Sequence, residues 1–148
     1  MADLTTRSAT ANDFNFCWKL YSHFVKDPLT PHIQGGWIAS NEEAKFKSIW
    51  STDEAHIIEY DGSPVGWLSY HETENSLNVD QFYLESKFHH RKIGTIIFNY
   101  ISDQARLQGK RRVAAEVLKG ATAKDFFVKI GFVEYGSTSL CTQLEKAT

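Results

Sequence analysis

A strand-like run from Leu77 to Leu84 gives way to a helix-like run carrying Ile93, Ile97, Ile101 and Ala105, and a short basic turn joins them. The turn reads Phe88-His89-His90-Arg91-Lys92. After Gly109 a further strand-like run, Val113 to Leu118, follows. A strand–helix–strand unit of this kind joins parallel neighbours through a right-handed crossover, so the chain is expected to build at least one parallel pair. Open sheets bind ligands beyond the carboxyl ends of their strands, which is where this turn falls. Free N–H groups and the positive end of the helix dipole converge there. His89, His90, Arg91 and Lys92 add donors and charge. The turn is expected to hold an anion.

The remaining pattern fixes a fold class. Leu4 to Ser8 alternates weakly and reads as a first strand. Thr10 is a candidate N-cap, and Phe14, Cys17, Trp18, Tyr21 and Val25 then fall at helical spacing. Asp27-Pro28 is expected to end that helix, and Leu29 to Ala39, with Gly35-Gly36, reads as a loop. Ser40-Asn41-Glu42-Glu43 has the form of a capping box opening a helix to about Trp50. Ala55 to Tyr60, Val65 to His71 and Leu77 to Leu84 form a meander, turning at Asp61-Gly62 and at Glu72 to Ser76. Ala123, Phe126, Phe127 and Ile130 make a short helix closed by Gly131. Phe132 to Tyr135 and Ser139 to Leu144 finish as paired strands. The order is β-α-α-β-β-β-α-β-α-β-β. This is an α+β fold: a mixed sheet of about six to seven strands with about four helices, in a single domain over residues 1–148.

Composition excludes several function classes. Hydrophobic residues are 42% and charged residues 23%, as in an ordinary soluble protein. A formal net charge of −2 argues against a general nucleic-acid or anionic-membrane surface, so a basic site must be local. No apolar run approaches the ~20 residues of a membrane span, and Met1 to Arg7 has no leader-peptide core. Cys17 and Cys141 form no C-x-x-C and no zinc pattern, which fits reduced thiols in a cytoplasmic protein. Adjacent side chains such as His89 and His90 point in different directions, and no cysteine or carboxylate lies near them at ligand spacing, so no metal is expected.

Two phrases carry a family resemblance. Leu84-Glu85-Ser86-Lys87-Phe88-His89-His90-Arg91-Lys92-Ile93-Gly94 is similar to the Gln/Arg-x-x-Gly-x-Gly/Ala signature of the GNAT superfamily of acyl-CoA-dependent N-acetyltransferases. Gly120-Ala121-Thr122-Ala123-Lys124-Asp125-Phe126-Phe127-Val128-Lys129-Ile130-Gly131-Phe132 is similar to its second signature, Asn-x-(x)-Ala-x-x-Leu/Phe-Tyr-Glu-Lys-Leu-Gly-Phe. Together, in this strand order, they resemble a GNAT domain over nearly the whole chain. The departures are His89 for glutamine, Lys92 for the first glycine, no asparagine, and Phe127 for the tyrosine that protonates the leaving thiolate. Lys92 suits the position if its φ is negative.

The resemblance implies an acetyl-CoA co-substrate and an acetyl transfer to an amine acceptor, a small molecule or a protein amine, by a monomer or homodimer. It assigns Phe82, Tyr83 and Leu84 to the pantetheine arm, and His89, His90, Arg91, Lys92, Ile93, Gly94 and Thr95 to the diphosphate, with Phe127 near the thiol. Family members often place a carboxylate base on the fourth strand, where Asp80 is the nearest acid; Glu85, Glu116 and His71 are further candidates. Water, Tyr83 or another hydroxyl could replace the missing acid. The first two helices and their loop cover the acceptor in this fold, which points to Phe24, His32 and Trp37, with Tyr21 beside them. Plain core packing of these aromatic side chains stands as the alternative. So do a catalytically weak acyl-CoA sensor and an unrelated anion-binding domain.

Overall fold

Residues in the central strands alternate apolar side chains to both faces of the sheet, because successive side chains of a strand point to opposite sides. The computed structural model describes residues 3–148; Met1 and Ala2, which open the stretch read for a leader, lie outside it. The described residues form the strands β1 (Leu4–Ser8), β2 (Ala55–Tyr60), β3 (Ser63–Glu72), β4 (Ser76–Leu84), β5 (Arg112–Leu118), β6 (Val133–Ser137) and β7 (Cys141–Ala147). They form the helices α1 (Phe14–Leu29), α2 (Ala39–Ile49), α3 (Ile93–Leu107) and α4 (Ala123–Lys129). The sheet order is β1-β2-β3-β4-β5-β7-β6. The β4–β5 pair, joined through α3, is parallel, and every other neighbouring pair is antiparallel.

Two cores result. Ile57 of β2 and Trp67 of β3 pack with Cys17, Leu20 and Phe46 under α1 and α2. Their neighbours Ile58 and Leu68 pack with Val79, Ile97, Phe98, Val113 and Phe132 under α3 and α4. The molecule is a helix–sheet–helix sandwich of the α+β class. No helix among the described residues is long and apolar enough to cross a membrane.

Local differences from the sequence reading have simple causes. Helix α1 runs through Pro28 to Leu29 rather than stopping at Asp27-Pro28. Pro28 sits in the last turn, where a missing N–H removes only one terminal hydrogen bond. The Ser40–Glu43 capping box does not form: α2 begins at Ala39 with extended Ile38 as its N-cap. The reciprocal arrangement is made instead at Thr10, whose N–H donates to the Asp13 carboxylate at 2.8 Å.

Asp13 also ties β1 to the start of α1. Arg7 Nη1 and Nη2 donate to its two oxygens at 2.8 and 2.9 Å, while Arg7 Nε donates to Glu59 on β2 at 3.2 Å. The carboxylate is only 8% exposed, yet the Arg7 hydrogen bond outweighs desolvation and holds its pKa below the ordinary value. A depressed carboxyl pKa adds stability above the unfolded value near 3.9 and loses it as pH falls through the folded value. Asp13→Asn is therefore expected to lower unfolding free energy near neutral pH by about 1.5–3 kcal/mol. The variant should also lose less stability than the parent below pH ~4. Urea titrations at both pH values check this; parallel losses would remove Asp13 from the acid response.

Candidate active site

The parallel ladder between β4 and β5 is short. Ser76 to Val79 pair with Arg112 to Ala115, and there the two strands part. Of the remaining residues of β4, Gln81 to Leu84 pair only with β3, and Glu116 to Leu118 pair only with β7. The parting coincides with a β-bulge: Tyr70 of β3 faces Val79 while Ser69 faces Gln81, leaving Asp80 as the extra residue. A bulge bends its strand and puts two successive side chains on one face. Asp80 and Gln81 accordingly share the α2-side face with Ser69 and Trp67, lining one cavity there. The parted backbone groups line a wedge that opens toward the basic turn.

At the wide end of the wedge stands the N-terminus of α3. The N–H groups of Ile93, Gly94 and Thr95 occupy its first turn, where no intrahelical carbonyl is available. Gly94 is buried against aromatic rings: a Cβ built on it would lie 2.8 Å from Phe126 Cζ and 3.5 Å from Phe82 Cζ. Only glycine fits that approach without moving Phe126. His89 Nε2 lies 2.9 Å from the Leu84 carbonyl oxygen, and its ring stacks on Phe24 at 5.6 Å. Phe24 stacks in turn on Tyr83 at 6.1 Å. The side chains of Arg91 and Lys92 are exposed and pair with no carboxylate among the described residues; the Arg91 guanidinium lies 5.5 Å from the Phe88 ring centre.

Lys92 departs from expectation. Its φ is +63°, in the left-handed region, and His90 next but one before it is at +66°. A negative φ at Lys92 was the condition for a side chain to replace glycine comfortably. The helix instead starts directly from a left-handed residue, because the chain must reverse between Leu84 and Ile93. Lys92→Gly should relieve that strain and raise unfolding free energy by up to ~1 kcal/mol, net of the entropy glycine adds to the unfolded chain. Denaturant unfolding checks it; lower stability in the variant would mean that the lysine side chain itself supports the turn.

The other candidates scatter over this frame. Asp80 is exposed, and its Oδ2 lies 2.7 Å from His71 Nδ1. Glu54 joins them: one donor atom from each of Glu54, His71 and Asp80 lies within 4.8 Å of the others. Tyr83 donates its hydroxyl to Gln81 Oε1 at 2.5 Å on the α1 face. Burial first, with Tyr21 and Cys141 adding to it, pushes its phenol well above the ordinary value, so it stays protonated and is a weaker acid than a free phenol. Phe82 lies on the opposite face, edge-on to Phe98 at 4.9 Å. Leu84 is buried at the end of β4. Phe127 is 3% exposed, its ring held between Phe98 at 5.0 Å and Phe132 at 5.1 Å. Its half-buried neighbour Phe126 is the ring that reaches Gly94 and Phe82. Trp37 stacks on Trp18 at 6.2 Å, and His32 is exposed in a short 3-10 turn after α1. Glu116 is exposed on β5, and Glu85 follows β4, its N–H donating to the Val65 carbonyl. Sequence reading missed Glu54, Trp50 and Trp67, which a turn, the end of α2 and β3 bring to the Asp80 cavity.

Comparisons with known proteins agree on the frame. The Acetyltransferase (GNAT) family model matches residues 17–132. The fold is similar to that of PaiA N-acetyltransferase from Thermoplasma acidophilum, solved in complex with coenzyme A, at 14% identity and TM-score 0.76 over 99% of both chains. It is also similar to an acetyltransferase from Thermus thermophilus, at 17% identity and TM-score 0.72 over 98% of this chain and 97% of that one. No curated protein matches the chain significantly in sequence. With the family model covering most of its length on top of the parted strands and the basic turn, the chain belongs to the Acetyltransferase (GNAT) family.

Proposed function

We propose that the protein moves the acetyl group of acetyl-CoA to an amine by direct transfer. The parting of β4 from β5 beside the α3 N-terminus supports this most strongly. It provides unpaired strand backbone for an amide-bearing arm and free N–H groups, with Arg91 and Lys92, for a diphosphate. The similar Thermoplasma protein was solved in complex with coenzyme A, which supports this class of ligand.

In this reading the N–H groups of parted β4 polarise the thioester carbonyl. Asp80 accepts the amine proton, directly or through water, as the amine nitrogen attacks that carbon. The carbon–sulfur bond breaks and the thiolate takes a proton from water or Tyr83. A thiol pKa near 8.5 makes the thiolate a tolerable leaving group, so a missing acid slows the step by ~10²–10⁴ rather than abolishing it. A second reading, an acyl-CoA sensor of low turnover, draws on Phe127, which offers no hydroxyl from its place in the core.

Acetyl-CoA at a hundredfold its Kd is expected to stabilise the protein by about 2.7 kcal/mol, read as a rise in Tm. Arg91→Glu should weaken that binding at least tenfold, by removing one charge-assisted contact and adding repulsion. Silence toward both acetyl-CoA and adenosine diphosphate would sink both coenzyme A readings. Thiol release across an amine panel then separates enzyme from sensor.

A further inference from the structure

Asp80 has no residue directly opposite it on β3: Tyr70 faces Val79 and Ser69 faces Gln81. Its side chain is therefore free to lean along the sheet rather than pair across it. It leans on the diagonal neighbour His71, whose own cross-strand partner is Asn78. His71 Nδ1 and Asp80 Oδ2 meet at 2.7 Å, the length of a charge-assisted hydrogen bond. No lysine or arginine pairs with Asp80 among the described residues, so His71 is its one ionic partner there. Exposed ion pairs add little to stability, and with side chains 48% and 44% exposed this one is not needed to hold the sheet.

The contact fixes the state of the ring. An ionised carboxylate only accepts hydrogen bonds, so the shared hydrogen must sit on Nδ1. A neutral imidazole then carries a bare lone pair on Nε2. Nε2 makes no hydrogen bond among the described residues, and the half-exposed ring gives water access to it. Asp80 thus supplies what a proton-accepting histidine needs: a fixed tautomer, a fixed orientation and a negative charge to balance the imidazolium. Glu54 adds a second carboxylate to that balance, with one oxygen within 4.8 Å of a His71 ring nitrogen.

Basicity decides which member of the pair holds a proton. General bases work best when they titrate near the working pH. Imidazoles as a class are more basic than aspartate carboxylates by roughly 2.6 pKa units, or about 400-fold. In a hydrogen-bonded pair an added proton belongs to the pair and rests on the more basic site. Accepting the amine proton at Asp80 and charging His71 are therefore one protonation step.

We propose that His71 and Asp80 act as one base in acetyl transfer, with His71 Nε2 taking the amine proton through water while Asp80 stays ionised and holds the ring. The proposal rests on the acetyl-transfer reading and refines its proton step. As the amine lone pair attacks the thioester carbon, an N–H proton passes through a water to Nε2. The carbon–sulfur bond breaks and its electron pair leaves on the thiolate. The imidazolium then returns its proton to solvent from the exposed edge of the ring.

The test separates holding Asp80 from taking a proton. His71→Asn keeps an N–H donor where Nδ1 stands and removes Nε2, whereas His71→Ala removes both. Ethanolamine, n-pentylamine, spermidine and N-acetyl-lysine amide serve as acceptors, with thiol release from acetyl-CoA as the readout. For the acceptor used best, both variants should lose kcat about 100-fold, the low end of general-base effects, while KM and the acetyl-CoA-induced rise in Tm hold. Added imidazole should restore part of the rate to His71→Ala. Combining His71→Asn with Asp80→Asn should be no slower than the slower single variant, as expected of groups that act as a unit. Nitrogen chemical shifts of the parent protein should show a pyrrole-type Nδ1 and a pyridine-type Nε2 in the neutral ring. A His71→Asn variant that keeps most of its kcat, or a bare Nδ1 in the neutral ring, overturns the proposal and leaves Asp80 to act alone. So does a loss confined to KM. If acetyl-CoA binds but no amine releases thiol, the acetyl-transfer reading itself falls, and this role falls with it.

Discussion

The bulge at Asp80 is the constraint on which the candidate site depends. Without an extra residue between Val79 and Gln81, β4 would stay in register with β3 and had no reason to bend from β5 at Ala115. The bulge does two things at once. It ends the parallel ladder, leaving the backbone of β4 beyond Asp80 without a partner on the β5 side. It also turns Asp80 and Gln81 to the same face, so an acid meets the α2-side cavity where the alternation of a regular strand would have sent one of the two away. Wedge and α2-side cavity are therefore two faces of one backbone irregularity.

The aromatic side chains explain why so irregular a region holds its shape. On the α1 side, His89, Phe24 and Tyr83 stack in a column that joins turn, helix and strand. On the α3 side, Phe82, Phe98, Phe126, Phe127 and Phe132 interlock edge to face. Such pairs contribute roughly 0.5–1.5 kcal/mol each beyond their buried area, and their geometry is directional. Placing Phe127 in this network rather than at the wedge follows from its helix position: among Phe126 and Phe127, only one can face Gly94.

Strand order and the basic turn were legible because each rests on local signals. The change of apolar period at Ile93 and the positive-φ glycines Gly62, Gly109 and Gly131 mark element ends whatever the tertiary context. Local signals also misled. Ser40-x-x-Glu43 and Thr10-x-x-Asp13 are near-equal as capping signatures, and only Arg7, brought in by β1, shows why the second one is used. The cluster of Glu54, His71 and Asp80 had no signature at all. Its members come from three separate strands or turns and meet through pairing register, which a one-residue slip would destroy. Asp80 was found through family resemblance; Glu54 could have been found only by knowing that Ala55 faces Ser69.

The basic turn carries its own argument about preorganisation. His90 and Lys92 both adopt left-handed backbone, each costing of order 1–2 kcal/mol relative to glycine. Arg91 and Lys92 also place positive charge beside the positive end of a helix dipole, which is unfavourable in the absence of an anion. Strain of this kind persists only where neighbours over-determine the backbone. Here they do. The Leu84 carbonyl holds His89, Phe88 packs on Tyr60 at 5.6 Å, and Ile93 and Gly94 are buried immediately after the turn. The core thus fixes the turn from both ends, so its charges and free N–H groups are already in place when an anion arrives. Charge held in place in this way favours an anion at the turn without a cost of rearrangement.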